Sequence, residues 1–293
     1  MKFPDFLIIG AMKAGTTSLY QYLKQHPDIY MSPVKEPNYF TFGESERCLE
    51  IKKAEPESRV CGIEEYAALF ENASDEKAVG EATTSYLDCH FAAERIKTLI
   101  PDVKLIAILR DPADRAHSHF MYNKRLFYEK LSSLELCIEQ EESRVEEDFS
   151  TRYKYLGKGF YYQHLQRYRE FFPEHQIKVL LFEEFKHNPG SVLQDIFLFL
   201  GVDETFAPDI SIKYNTSGSW RNGAVKHIMQ VGQPLVRVLQ KRLPPRLVSQ
   251  IGRTIMKPAA SKPDTRQFLI SHYRQDVLQL QELLNKDLSS WLH

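Results

Sequence analysis

The chain has 293 residues, 43% of them hydrophobic, which is enough to bury the core of a single α/β domain. Its 38 Lys and Arg nearly cancel 39 Asp and Glu, excluding the global positive field of a nonspecific nucleic-acid or anionic-membrane binder, so any anion site must be local. The four cysteines, Cys48, Cys61, Cys89 and Cys137, have neither a CxxC pair nor a matching His spacing; this excludes a dense disulfide framework and a structural zinc and predicts a reduced, cytoplasmic chain.

The opening MKFPDFLIIGA has an apolar run too short for a signal-peptide core or a membrane span, and no later segment reaches membrane length. Phe6 to Gly10 is continuously apolar and ends on Gly, the pattern of a first, central strand buried on both faces of a parallel sheet. A glycine loop follows, and SLYQYLKQHP then places Leu19, Tyr20 and Leu23 at helical spacing before Pro27. EEYAALFENA and FAAERIKTLIP predict amphipathic helices. Val103 to Pro112 predicts a second buried strand, leading into a helix through His119 and Tyr122. Residues 129–152 are acidic and predict an exposed helix or flap. FYYQHLQRYREFFP aligns Tyr161, Leu165, Tyr168 and Phe172 on one helical stripe, and Ile177 to Phe185 predicts a third strand. The stretch from Lys241 to Pro263 reads as irregular, and Arg266 to Leu292 as a helix packed on the sheet. Strands alternating with helices predict a doubly wound, P-loop-like three-layer α/β fold with a central parallel sheet, as one domain over residues 1–293.

The loop GAMKAGTTS, Gly10 to Ser18, lies between a buried strand and a helix start, where backbone N–H groups and the helix dipole cradle phosphate. It has the GxxxxG spacing of a P-loop, but Thr16 stands where a nucleoside-triphosphate enzyme has Lys, and the loop's Lys is Lys13. A displaced Lys suits a phosphosulfate better than a Mg²⁺-bound triphosphate: Lys13 would meet the bridging oxygen as charge develops, and Thr16 and Thr17 the 5′-phosphate, with no metal. The packing alternative is a plain tight α/β turn. After the second strand, Arg110 offers a bidentate fork and Ser118, eight positions on, a hydroxyl, which together suit a second phosphate; a surface salt bridge is the structural alternative for Arg110.

The pair IIGAMKAGTTSLYQYLKQHP and LIAILRDPADRAHSHFMY resembles, in order, the 5′-phosphosulfate-binding and 3′-phosphate-binding motifs of the 3′-phosphoadenosine-5′-phosphosulfate (PAPS)-dependent sulfotransferases. The similarity runs through GKGFYYQHLQRYREFFPEHQIKVLLFEEFKHNP to RQDVLQLQELLNKDLSSWL and is strongest to the bacterial and heparan-sulfate-type branch. The resemblance implies leaving-group stabilisation by Lys13. It also implies a 5′-phosphate cradle of Ala14, Gly15, Thr16, Thr17 and Ser18, and a 3′-phosphate site of Arg110 and Ser118. A late basic segment covers the 3′-phosphate in the family, for which Arg221, Lys262 and Arg266 are the candidates here.

Glu36, in SPVKEPNYFTF, precedes Pro and an aromatic cluster; apolar neighbours would raise its pKa and let it take a proton, and the heparan-sulfate-type branch has its catalytic glutamate in this place. Glu81, in the strand VGEATTSYLDCH, is the second candidate, against a strand-end salt bridge. Ala82 replaces the Lys common in heparan-type enzymes, which weighs against a sulfated-polysaccharide acceptor. His90, His117 and His119 are further possible bases, though such residues more often face solvent or cap helices. Phe182 stands where many relatives have Tyr. Tyr39, Phe40, Phe42, Phe127 and Tyr128 could line an acceptor pocket, with core packing as the default. The expected activity is therefore sulfuryl transfer from PAPS, leaving 3′-phosphoadenosine-5′-phosphate (PAP), to a hydroxyl or amine of a small or medium-sized acceptor, a bacterial natural product or metabolite of secondary metabolism. The rivals are a P-loop kinase or nucleotidase, a glycan sulfotransferase and a catalytically silent nucleotide-binding module. No nucleic-acid partner or oligomeric state is assigned.

Overall fold

The computed structural model describes residues 1–54, 60–148, 151–211, 219–220, 256–257 and 263–293. They fall into two units. The first comprises residues 1–110, 160–209 and 275–288 and holds a five-stranded, wholly parallel sheet in the order β2-β3-β1-β4-β5. These strands are β1 (Phe6–Gly10), β2 (Ile29–Met31), β3 (Ala78–Ala82), β4 (Lys104–Leu109) and β5 (Ile177–Leu181). β1 is central and buried along its whole length, as its unbroken apolar run requires. Its Phe6 pairs with Gly80 on one side and Lys104 on the other. A Cβ on Gly80 would sit 2.3 Å from the Phe6 ring, so β3 can carry only glycine there.

Helices α1 (Thr16–Leu23), α2 (Tyr39–Phe42), α3 (Glu46–Ala54), α4 (Ile63–Ala68) and α5 (Ala92–Leu99) connect the first strands. In α9 (Tyr161–Phe171) the predicted stripe of Tyr161, Leu165 and Tyr168, continued by Phe172 just beyond its end, is buried. The N-cap of α9 is Phe160, which cannot cap; the buried carboxylate of Asp276 instead accepts from the N–H groups of Tyr162 (3.0 Å) and Gln163 (3.3 Å). β5 is shorter than the sequence pattern suggests. Phe182 begins α10 (Phe182–His187), where Glu183 and Glu184 in the first turn and Lys186 and His187 in the last complement the helix dipole, so EEF is helix rather than strand. α11 (Pro189–Leu200) follows.

The expectation of a reduced chain is corrected by a disulfide between Cys48, in α3, and Cys61. The sequence separation of 13 carries no motif, but the fold returns Cys61 to within 5.6 Å (Cα–Cα) of Cys48. Cys89 and Cys137 are free thiols.

The second unit comprises residues 111–159, 210–274 and 289–293. Asp111 caps α6 (Pro112–Arg125), accepting from the N–H groups of Ala113 and Asp114, with Pro112 at the first helical position. The acidic stretch forms α7 (Leu134–Glu139) and α8 (Glu141–Asp148). It is anchored rather than simply exposed: Leu134 and Cys137 are buried, and the buried Glu129 carboxylate pairs with Arg144 at 3.0 Å and accepts from the Tyr155 hydroxyl at 2.7 Å. Those partners hold the Glu129 carboxyl below its ordinary range against the opposing effect of burial. β6 (Ser219–Trp220) and β7 (Met256–Lys257) pair antiparallel. Helix α12 (Pro263–Leu284) begins in this unit.

Candidate active site

In a parallel sheet all strands end at the same edge, where ligands bind in open α/β folds. At that edge of the first unit the loop after β1 is tied to β4 by a 2.7 Å hydrogen bond from Ala11 N–H to the Ile108 carbonyl. Lys13 (φ +70°) and Gly15 (φ +92°) both take left-handed backbone conformations. Gly15 is the N-cap of α1; no side chain caps that helix and no acidic residue occupies its first turn. Its first amide groups therefore offer partial positive charge to an anion, with Thr16 buried and Thr17 and Ser18 half-buried beside them. A Cβ on Gly15 would stand 3.0 Å from the Phe182 ring, so glycine is required twice over, by conformation and by close approach. Arg110, at the end of β4, lies over the Phe182 ring (5.0 Å to its centroid) and donates to the Lys13 carbonyl at 3.3 Å. The structure thus joins Gly15 and Arg110 at one ring and ties Lys13 to Arg110, and this donor set fits a phosphate-bearing group.

The two carboxylates meet at the end of β3. Glu36 N–H donates to the Ala82 carbonyl at 2.9 Å, and the Glu36 carboxylate accepts from Thr84 N–H at 2.8 Å, from Thr84 Oγ1 at 3.2 Å and from Lys35 Nζ at 2.5 Å. Its surroundings are thus polar, not the apolar aromatic setting its sequence neighbours suggest. Tyr39 and Phe40 turn inward to stack with Tyr66 and Tyr86 in the core. Burial instead falls on Glu81, which is fully enclosed and whose carboxyl is pushed up to about 7. Loss of hydration is the main cause and the nearby Glu36 charge adds to it. Hydrogen bonds from Thr83 Oγ1 (2.8 Å) and the Tyr66 hydroxyl (3.3 Å) oppose the shift.

The remaining candidates divide between the two units. Ser118 is buried in α6 of the second unit; His119 is buried there against Tyr155 and His117 is half-buried. His90 is exposed in the first unit. Arg266 is engaged by Asp111 at 2.6 Å and Asp114 at 3.1 Å, an arrangement that fixes the start of α6. Phe127 and Tyr128 belong to the second unit, and Arg221 and Lys262 lie outside the described residues. Sequence reasoning missed Lys35, Thr84 and Tyr66 as partners of the carboxylates. For Lys35, adjacency to Glu36 was an available signal; Thr84 is brought to Glu36 by the pairing of β2 with β3, and Tyr66 reaches Glu81 from α4. No described helix is long and apolar enough to cross a membrane.

A family profile described as "Sulfotransferase domain" matches residues 3–224. The chain is 27% identical to the human bifunctional heparan sulfate N-deacetylase/N-sulfotransferase 3 over 307 residues, covering 99% of this chain but 31% of that protein, so it spans about a third of the curated relatives it matches. Among solved structures, a sulfotransferase from Alicyclobacillus acidocaldarius is 31% identical, with a TM-score of 0.78 and full coverage of both chains. The sulfotransferase domain of the Synechococcus PCC 7002 olefin synthase, 19% identical with a TM-score of 0.50 over 98% of this chain and 97% of that one, shares the fold. With the family profile over most of its length and a full-length structural relative, the chain belongs to the PAPS-dependent sulfotransferase family.

Proposed function

We propose that the chain transfers a sulfuryl group from PAPS to a hydroxyl or amine of a small or medium-sized acceptor, a natural product or metabolite. The observation that bears most weight is the Glu36 carboxylate, held by Thr84 and Lys35 at the sheet edge that also presents the Lys13–Gly15 loop. PAPS supplies the sulfuryl group. Thr16, Thr17, Ser18 and the first amides of α1 hold its 5′-phosphate, and Lys13 places positive charge at the phosphate oxygen that accumulates charge as its bond to the transferred sulfuryl group breaks. Arg110 braces that loop through the Lys13 carbonyl and brings its guanidinium charge to a phosphate. Glu36 takes the acceptor's proton, with the acceptor aligned for direct in-line attack. Glu81 stays behind the site as a buried acid.

The near-neutral charge balance supports an uncharged acceptor over a polyanionic glycan. The curated relatives named heparan sulfate N-sulfotransferases give the amine arm its support. A panel of alcohols, phenols, amines and oligosaccharides incubated with PAPS and read by mass spectrometry for added sulfuryl groups identifies the class. Lys13→Ala is expected to lose about 10²–10³ in turnover while still binding PAP in calorimetry, and Glu36→Gln to lose turnover with PAP affinity intact. Full turnover in either variant overturns that residue's role.

A further inference from the structure

The segment bearing Glu36 is held in a conformation that its sequence does not favour. Glu36 (φ +62°) and Asn38 (φ +60°) are both left-handed, on either side of Pro37, a backbone conformation that costs a non-glycine residue energy. Such a turn persists only when its surroundings fix it. Two consecutive residues after β3 do so. Thr84 grips the carboxylate: its N–H donates to Oε2 at 2.8 Å, and its hydroxyl lies 3.2 Å from each carboxylate oxygen. Ser85 grips the turn: its hydroxyl donates to Asn38 Oδ1 at 2.7 Å and shares a 2.6 Å hydrogen bond with the Thr41 hydroxyl. Asn38 Nδ2 in turn donates to the Glu36 carbonyl at 2.5 Å. Side chain and backbone of Glu36 are thus fixed by neighbouring positions of a single loop.

We propose that Thr84 and Ser85 are positioning residues for Glu36, Thr84 through the carboxylate and Ser85 through Asn38; the proposal rests on Glu36 being the base. Neither residue touches the acceptor in this reading. Their effect falls on the orientation of the carboxylate, and so on kcat rather than on donor binding, because displacement of a catalytic group by about 1 Å can cost about a hundredfold in rate.

The test uses ³⁵S-labelled PAPS with 2-naphthol, n-octanol or glucosamine, and with water as the default acceptor, on the whole chain. Thr84→Val keeps shape and backbone N–H but removes the hydroxyl; it is expected to lower kcat ten- to a hundredfold with unchanged PAP affinity, and Thr84→Ser to restore most of the rate. Ser85→Ala is expected to lower kcat by a smaller factor, and Asn38→Gly, which fits the left-handed backbone, to do likewise. In a Glu36→Gln background, Thr84→Val is expected to cause no further loss, since the base whose orientation it sets is gone. An unchanged kcat in folded Thr84→Val overturns the proposal, as does an equal loss in both backgrounds. Should Thr84→Val fail to fold, Ser85→Ala with wild-type kcat overturns the clamp. Full activity of Glu36→Gln alone would instead remove the base itself, so the two failures are distinguishable.

Discussion

Replacing Glu81 with Gln is expected to change how stability depends on pH. The folded chain raises the Glu81 carboxyl from 4.5 to about 7. A shift of roughly two and a half units corresponds to about 3 kcal/mol, since each unit is 1.36 kcal/mol, and full enclosure of the side chain removes any need to discount for solvent screening. The folded state holds this proton more tightly than the unfolded chain. The contribution is therefore complete below about pH 4.5 and is lost as pH rises through about 7. Gln cannot ionise, so the variant lacks this dependence. At pH 8 it should exceed the wild type by up to about 3 kcal/mol, less any cost of rearranging the bonds to Thr83 and Tyr66. At pH 5 the difference should shrink to about 1 kcal/mol or less, and below about pH 4 the two should nearly coincide. Urea midpoints measured from pH 5 to 8 for both proteins give the comparison. Parallel curves would refute the reasoning, because they would mean that Glu81 titrates alike in folded and unfolded chains. Because the Glu36 charge contributes to the shift, Glu36→Gln should move the wild-type inflection to lower pH.

Three further outcomes follow from packing. Arg144→Ala should destabilise the second unit by about 3–5 kcal/mol, because it leaves the buried Glu129 carboxylate without its ion-pair partner; chemical denaturation measures it, and a loss within 1 kcal/mol would contradict the burial argument. Asp276→Ala should cost about 1–2 kcal/mol by removing the cap of α9, read as faster amide exchange at Tyr162 and Gln163 than in the wild type. Thiol titration of the denatured, unreduced protein should find two free thiols, Cys89 and Cys137; reduction should expose four and lower stability by about 3 kcal/mol, the chain-entropy value for so short a loop, whereas four thiols before reduction would exclude the bond.

What the sequence makes legible is what it encodes locally. β1 and β4 are unbroken apolar runs, and their ends are marked by Gly10 and Arg110, so both the strands and the edge they present could be read directly. The glycine loop was legible for the same reason: Lys13, Gly15 and the Thr pair sit within one turn of one another. β2 was not readable from its own pattern, and the strand in VGEATTSYLDCH was placed by the resemblance rather than by its own pattern. β2 has only three residues, and β3 interrupts its apolar run with Gly80 and Glu81; each is strand because a partner pairs with it. The disulfide belongs with these, since Cys48 and Cys61 become neighbours only through the path of the chain after α3.

The carboxylate pair shows where local reading misassigns chemistry. Glu36 is surrounded in sequence by Pro37, Tyr39 and Phe40, yet those rings face the core, and the Glu36 carboxylate meets Thr84 and Lys35 instead. Glu81 lies between small residues in sequence and is the carboxyl that burial perturbs, because the tyrosine ring beside it comes from α4. The same geometry alters the weight of Ala82. Taken alone, the missing Lys at that position removes a cation and argues against an anionic acceptor. In the folded chain Lys35 brings an ammonium to within 2.5 Å of Glu36, so a cation stands beside the proposed base despite Ala82. Part of that charge is already committed to the carboxylate, and an anionic acceptor would have to compete with Glu36 for it. The case for an uncharged acceptor therefore passes from the identity of residue 82 to the pairing of Lys35. Lys35→Met should accordingly slow turnover of uncharged and anionic acceptors by similar factors, whereas a loss confined to anionic acceptors would assign Lys35 to the acceptor and reverse this reading.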